Sequence, residues 1–202
     1  MKRKIIFASS NPGKINELQS LLDEFDYEVV PQTQLGIDDV DETGLTFVEN
    51  AIIKARHASQ TTGLPALADD SGLEVDVLKG EPGIYSARYA GLPSNDKANC
   101  KKLMAELKKM GEPTYAARFR CALVLMRHPN DPAPFISQGV WEGEIIFKPA
   151  GQNGFGYDPI FYVPELKCTA AELSLKEKNS MSHRAKALNQ LIEQLNVHKE
   201  IG

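Results

Sequence analysis

Two adjacent carboxylates, Asp69 and Asp70, close the apolar run Ala66-Leu67-Ala68 and stand directly before Ser71-Gly72. Neighbouring residues on a strand point to opposite faces, so one of the two is expected to face any given site. Short carboxylates where a strand gives way to a loop suit a hard divalent cation, whose ligands are oxygens. Asp, Ser and Gly are equally the ordinary residues of a surface turn. On this stretch alone both readings stand. A second group is Ser9-Ser10-Asn11-Pro12-Gly13-Lys14. Asn11 as N-cap and Pro12 at the first helical position leave free N–H groups at a helix start. That is an anion site, and Lys14 adds a full positive charge. It is not a P-loop, because the first glycine of G-x-x-x-x-G-K-[ST] is absent and Ile15 follows the lysine. A plain capped helix with a surface lysine is the alternative.

Three further groups have residue types that chemistry could use. Asp38, Asp39, Asp41 and Glu42 form an acidic loop ahead of a helix start, to serve as cap charges, as metal ligands or as a solvated loop. Gly151-Gln152-Asn153-Gly154-Phe155-Gly156-Tyr157-Asp158-Pro159 interleaves glycines with two aromatics and a carboxylate. Glycines permit close backbone approach. A loop that stacks a planar ring and reads its edge needs these types, as does an ordinary turn with aromatics tucked under it. His183-Arg184 heads the last helix, where the macrodipole disfavours positive charge and something anionic or polar is expected to bind.

The elements that must position these groups follow from periodicity. Lys4 to Ala8 reads as a first strand, and Ile15, Leu18, Leu21 and Leu22 recur at helical spacing after Asn11. Tyr27 to Val30 reads as a second strand. Thr46 and Glu49 have capping-box spacing and open a helix patterned by Phe47, Ala51, Ala55 and Ala58, with Glu49, Asn50 and Lys54 on its polar side. Gly63-Leu64-Pro65 ends it and feeds the aspartate stretch, which is expected to turn at Ser71-Gly72. An arginine between aromatics, Arg88, lies in Tyr85-Ser86-Ala87-Arg88-Tyr89. Ser94 to Met110 is an amphipathic helix with Cys100, Leu103, Met104 and Leu107 inward. Tyr115 to Met126 alternates as a strand; Phe135 to Phe147 is its hairpin partner, interrupted by Gly139 and Gly143, with Trp141 as packing. Thr169 and Glu172 open a short helix, and the polar run from Lys176 to Ser182 leads to a final helix with Ala185, Leu188, Leu191, Ile192 and Leu195 buried.

The 202 residues fit a single domain with no repeat or linker, and 42% hydrophobic with 25% charged content is ordinary for a soluble globular protein. A net charge of −4 argues against a nucleic-acid backbone as the main partner. Met1 to Ala8 begins like a signal peptide, but its apolar part stops at Ser9, short of the roughly 7–15 residues such a segment needs. No stretch approaches the roughly 20 apolar residues of a membrane span. Cys100, Cys121 and Cys168 are far apart and odd in number, so free thiols and a cytoplasmic location are expected.

Six segments in one order carry a family resemblance: Ser9-x-Asn11-x-x-Lys14, Glu42-Thr43-Gly44-x-Thr46-Phe47-x-Glu49-Asn50-Ala51-x-x-Lys54-Ala55, Ala68-Asp69-Asp70-Ser71-Gly72-Leu73, Pro82-Gly83-x-Tyr85-Ser86-Ala87-Arg88, Gly154-Phe155-Gly156-Tyr157-Asp158-Pro159 and Ser182-His183-Arg184. The chain resembles, over nearly its whole length, the inosine/xanthosine triphosphate pyrophosphatase (Ham1-like) family. The resemblance implies an α/β fold with an elongated mixed sheet, flanking helices and two lobes around a substrate cleft, as in the related Maf-like proteins. It implies hydrolysis of ITP, dITP and XTP to the monophosphate and pyrophosphate, with Mg²⁺ and as a homodimer. By residue, it implies triphosphate contacts at Ser9, Ser10, Asn11, Pro12, Gly13 and Lys14. Metal ligands fall at Glu42 and Asp70, with Asp70 also the proton acceptor. Further substrate contacts fall at Ser71, Phe155, Gly156, Tyr157, Asp158, Lys178, His183 and Arg184, and Lys54, Asp69 and Arg88 match associated positions. Ser10 and Asn153 stand where glycine is frequent in the family, which bears on loop geometry. A nucleotide sensor without turnover, and a Maf-like enzyme preferring other nucleotides, are the competing expectations.

Overall fold

A computed structural model describes residues 3–22 and 27–198; Met1 and Lys2 of the basic N-terminal stretch lie outside the described residues. The chain enters on β1 (Arg3–Phe7), α1 (Pro12–Leu22) and β2 (Tyr27–Pro31), followed by α2 (Phe47–Thr62) and β3 (Ala66–Val75). After β3 come α3 (Asp96–Lys108), β4 (Tyr115–Met126) and β5 (Phe135–Ile145), then β6 (Phe161–Val163) and β7 (Cys168–Thr169), and finally α4 (Leu175–Met181) and α5 (His183–His198). The strands form one open sheet in the order β2-β1-β3-β4-β5-β6-β7. It is mixed: β1 runs parallel to both β2 and β3, with Phe7 beside Leu67, while β6 is antiparallel to β5 and to β7. Among the described residues no helix is long and apolar enough to cross a membrane.

The chain divides into two compact units of discontinuous sequence. The first unit comprises residues 1–70, 121–139 and 183–202. Its part of the sheet is covered on both faces, and strand alternation decides which side chain meets which helix. Ile5, Phe7, Leu67, Cys121, Leu123 and Leu125 pack on one side with Leu18 and Leu22 of α1 and with Leu188, Leu191 and Ile192 of α5. Ile6, Ala66, Ala68, Val124 and Met126 pack on the other with Ala51, Ala55 and Ala58 of α2. Three alanines on one helical face bring the α2 backbone close to the sheet, within reach of short side chains.

The second unit comprises residues 71–120 and 140–182. Its core gathers Leu73, Val75, Leu103, Leu107, Tyr115, Phe119, Trp141, Tyr157 and Phe161. Phe161 lies 4.5 Å from Phe119 and 5.2 Å from Trp141 between ring centroids, so Trp141 is a packing residue. The opposite side of this part of β4 is half-exposed. There Arg118 pairs with Asp76 and Glu142, and Arg120 with Glu74. The alternation of β4 is thus clear from Tyr115 to Arg120 and gives way to continuous burial from Cys121 to Met126, where helices cover both faces.

The structure corrects two expectations. β3 does not turn at Ser71-Gly72 but continues to Val75, a 10-residue strand, because the apolar residues Leu73 and Val75 are buried in the core of the second unit. β5 is not interrupted at Gly139 or Gly143. A Cβ at Gly139 would lie 1.9 Å from the His183 carbonyl oxygen and 2.7 Å from Ala187 N, so the glycine admits the start of α5. Thr169 and Glu172 form the expected capping box, opening a short 3₁₀ helix (Ala170–Glu172), and a separate, unforeseen capping box at Ser174 and Glu177 opens α4, which carries Lys178.

Candidate active site

In the first unit the aspartate pair lies inside a covered sheet, which overturns the surface-turn reading: Asp69 is 1% exposed and Asp70 5%. Alternation sends them to opposite faces. Asp69 follows Leu67 toward α1 and α5, where it receives Lys14 Nζ at 3.1 Å and Arg184 at 3.0 Å. Arg184 is fully buried and also pairs with Glu17 of α1. Asp70 follows Ala66 and Ala68 toward α2. Lys54 Nζ lies 3.2 Å from Asp70 Oδ1 and 2.7 Å from Glu42 Oε1, and Asn50 Nδ2 donates to Asp70 Oδ2 at 3.2 Å. Asn50 Oδ1 in turn accepts from Gly44 N at 2.8 Å, tying the acidic loop to the helix. Asn50 is completely buried, so it belongs to the α2 face turned toward β3 rather than to a solvated side. The signal for it was an asparagine, a poor helix former, in the second turn of a well-capped helix.

The two faces differ in their partners: Asp69 pairs with Lys14 and Arg184, whereas the Lys54 ammonium bridges Glu42 and Asp70. Burial raises the Asp70 pKa above its usual 3.8, against the pull of Lys54 and Lys14, and the neighbouring Glu42 and Asp69 raise it further. Burial also opposes the charge on Lys54, but the attractions of Asp70, Asp69 and Glu42 outweigh it and raise its pKa. The hard carboxylate oxygens of Glu42 and Asp70, gathered around one bridging cation, fit a divalent ion. Among the described residues no three His, Cys, Asp or Glu side chains converge as a cage, so an ion here needs oxygens from elsewhere.

The loop before α1 has the expected cap. Asn11 Oδ1 accepts from Lys14 N at 3.2 Å, and Ser9 Oγ accepts from Asn11 N at 3.2 Å. Ser10 Oγ donates to Asp39 Oδ2 at 2.9 Å, while Gln32 donates to Asp39 Oδ1, so this member of the acidic loop braces the first loop. Pro12 and Gly13 begin α1, and His183 is buried at the head of α5.

In the second unit the residues of the glycine-rich loop come together around Asp158, which is 2% exposed. Its Oδ2 accepts from Phe155 N at 2.9 Å and from Lys178 Nζ at 2.5 Å. The Lys178 ammonium also lies 4.9 Å from the Phe155 ring centroid, a cation–π distance. Gly154 has φ +73°, and a Cβ there would meet Asp158 Oδ2 at 2.0 Å; only glycine lets the carboxylate fold back beneath the loop. Tyr157 is buried and its hydroxyl donates to the Ser86 carbonyl at 2.8 Å; burial pushes its pKa up. Ser71 is half-buried on β3, and Arg88 stacks over the half-exposed Tyr85 ring at 5.2 Å.

Comparison with known proteins places this arrangement. The Ham1 family model matches residues 5–194. A dITP/XTP pyrophosphatase of Vibrio parahaemolyticus is 56% identical over 193 residues, covering 96% of each chain. One of Yersinia pseudotuberculosis is 57% identical over 193 residues, covering 96% of this chain and 98% of its own. Among solved structures, a HAM1 protein from Coxiella burnetii superposes with a TM-score of 0.88 at 52% identity, over 96% of this chain and 98% of that one. The Staphylococcus aureus Ham1 protein gives 0.84 at 43% identity, over 97% and 100%. With a family model spanning nearly all of its length and relatives of this identity, the chain belongs to the Ham1 family.

Proposed function

We propose that the protein hydrolyses the non-canonical purine triphosphates ITP, dITP and XTP to the monophosphate and pyrophosphate. The observation that carries the chemistry is Lys54 bridging Glu42 and the buried Asp70, in a chain so similar to dITP/XTP pyrophosphatases. Ser9, Ser10, Asn11, Pro12, Gly13 and Lys14 take the triphosphate through helix N–H groups and the lysine charge. Glu42 and Asp70 would hold Mg²⁺, which would supply Lewis-acid polarisation of the phosphate and charge neutralisation for the leaving pyrophosphate. Asp70 orients the attacking water and accepts its proton as the water oxygen bonds to the α-phosphorus and the bond from α-phosphorus to the bridging oxygen breaks. A carboxylate of raised pKa suits that task better than an ordinary one. Lys14 and Lys54 stabilise the charge that develops. Asp69, with its two cations, fixes Lys14 rather than serving as base.

Phe155, Gly156, Tyr157, Asp158 and Lys178 take the base, with Ser71, His183, Arg184 and Arg88 completing the substrate contacts. A buried Lys178–Asp158 pair supplies fixed donors and acceptors for the purine edge. Selectivity against ATP arises because a 6-amino group leaves buried groups unpaired that a 6-keto oxygen satisfies. The protein acts as a cytoplasmic homodimer on free nucleotides, not on nucleic acid or membranes. The net charge of −4 and the three free cysteines support that setting.

The deciding experiment is a panel of ITP, dITP, XTP, GTP and ATP with Mg²⁺, followed by separate assays for pyrophosphate and orthophosphate. Pyrophosphate from the first three, far faster than from GTP or ATP, is expected. Orthophosphate as the first product sinks the proposal.

A further inference from the structure

The Gly154–Pro159 loop does not hold itself. Gly156 sits in the left-handed region with φ +62°, and both of its backbone polar groups are taken by α3. Its N–H donates to Asp96 Oδ2 at 2.8 Å, and its carbonyl accepts from Cys100 Sγ at 3.3 Å. Asp96 and Cys100 stand four residues apart, on one face of the helix. Burial pushes the Cys100 thiol up to about 12, so at neutral pH it keeps the proton it donates. The start of α3 is itself fixed, since Asn95 Oδ1 accepts from Ala98 N at 2.9 Å. One residue along the helix, Asn99 accepts from Ala90 N at 2.7 Å and donates to the Ala87 carbonyl at 3.0 Å, anchoring the segment that carries Arg88. All of these groups lie in the second unit.

The Gly156 peptide joins two residues of opposite duty. Phe155 presents its ring beside Lys178, and Tyr157 is bolted into the core through Ser86. Asp96 fixes the Phe155–Gly156 peptide through its N–H and Cys100 the Gly156–Tyr157 peptide through its carbonyl, so the two planes flanking the left-handed Gly156 are both held, and the first sets the pitch of Phe155. We propose that Asp96 is a positioning residue for base recognition: by fixing the Gly156 peptide it determines which purine the Phe155–Asp158 loop accepts. This rests on that loop being the base-binding element of the proposed pyrophosphatase. Base-dependent binding energy then depends on Asp96, and binding through the phosphates alone does not.

The test separates those two parts. For the full-length enzyme, KM and kcat are measured for dITP, XTP and GTP, along with inhibition by inorganic tripolyphosphate, which has no base. In Asp96→Ala the KM for dITP is expected to rise about tenfold, the worth of one hydrogen bond to a charged group. Selectivity over GTP falls, and the tripolyphosphate inhibition constant stays unchanged. Asp96→Asn, which keeps an oxygen acceptor, recovers most of the loss. An unchanged KM for dITP, or a parallel rise in the tripolyphosphate constant, overturns the proposal. Should Asp96→Ala fail to fold by circular dichroism, Cys100→Ala takes its place: a smaller KM rise with the same split is expected, and wild-type behaviour overturns the proposal. A wild-type protein that does not turn over dITP marks failure of the functional assignment instead. Calorimetric titration with dITP and with tripolyphosphate then reads the Asp96 split without turnover.

Discussion

Asp70 is buried, yet the proposed chemistry needs its carboxylate ionised. Burial holds its folded-state pKa above the usual 3.8, so the folded protein binds the proton more tightly than the unfolded chain does. By linkage, its contribution to stability is favourable at low pH and is lost as pH rises from 3.8 through the raised value. Asp70→Asn should therefore lose roughly 100- to 10,000-fold in kcat, as removal of a general base does. Its melting temperature at pH 7 should equal or exceed that of the wild type, and the gain should vanish in melts below pH 3.8. A variant both inactive and less stable at pH 7 would show that Asp70 serves the fold instead. Part of this was legible in the sequence: the Asp69-Asp70 pair and Lys14 stood out by type and spacing, whereas Glu42 was picked from its acidic loop only by the family resemblance. What separates Asp70 from Asp69 was not, because it depends on Arg184 arriving from the far end of the chain to pair with Asp69 while Lys54 bridges Asp70 to Glu42. Asn50 was hidden for a related reason: a buried polar helix residue looks like a solvated one until its partner on β3 is known.

At the scale of elements, α5 rests on β5 through a glycine. Gly139→Ala would press a methyl group into the His183 carbonyl and the Ala187 amide, both backbone atoms that cannot rotate away. A cost of about 2–3 kcal/mol is expected for such overpacking, which corresponds to a melting temperature roughly 5–10 °C lower for a chain of this size. Because the clash falls on His183, turnover should drop as well; calorimetry and a dITP assay on the same preparation check both. A variant that melts with the wild type would mean that the helix slides freely over the strand. The long helices and strands were legible from periodicity and caps: α1 starts at Pro12 as its Asn-Pro signal predicts, and α3 keeps Cys100, Leu103 and Leu107 inward. Turn chemistry misled at Ser71-Gly72, where local propensity for a break lost to the burial of the residues on either side, and at Gly139, whose missing side chain makes room for α5 and does not mark a break. α4 went unread because its Ser174–Glu177 capping box sits in a lysine-rich stretch with little apolar pattern.

For the molecule as a whole, Lys54 supplies Glu42 and Asp70 with a counterion from the chain itself. Chelation with EDTA should abolish dITP hydrolysis while moving the melting temperature little. Mg²⁺ together with a non-hydrolysable dITP analogue should raise it by mass action, by an amount that grows with ligand concentration. A collapse of the melting temperature in EDTA would assign the metal a structural role. The division into two units could not be read from the sequence, since no linker marks it. Three of the four boundaries, after Asp70, Arg120 and Gly139, fall inside β3, β4 and β5, and the fourth falls at Ser182, where α4 gives way to α5. No single cut in the gene therefore releases either unit whole, and a crossover between two relatives inside one of those strands would join half a strand from each parent.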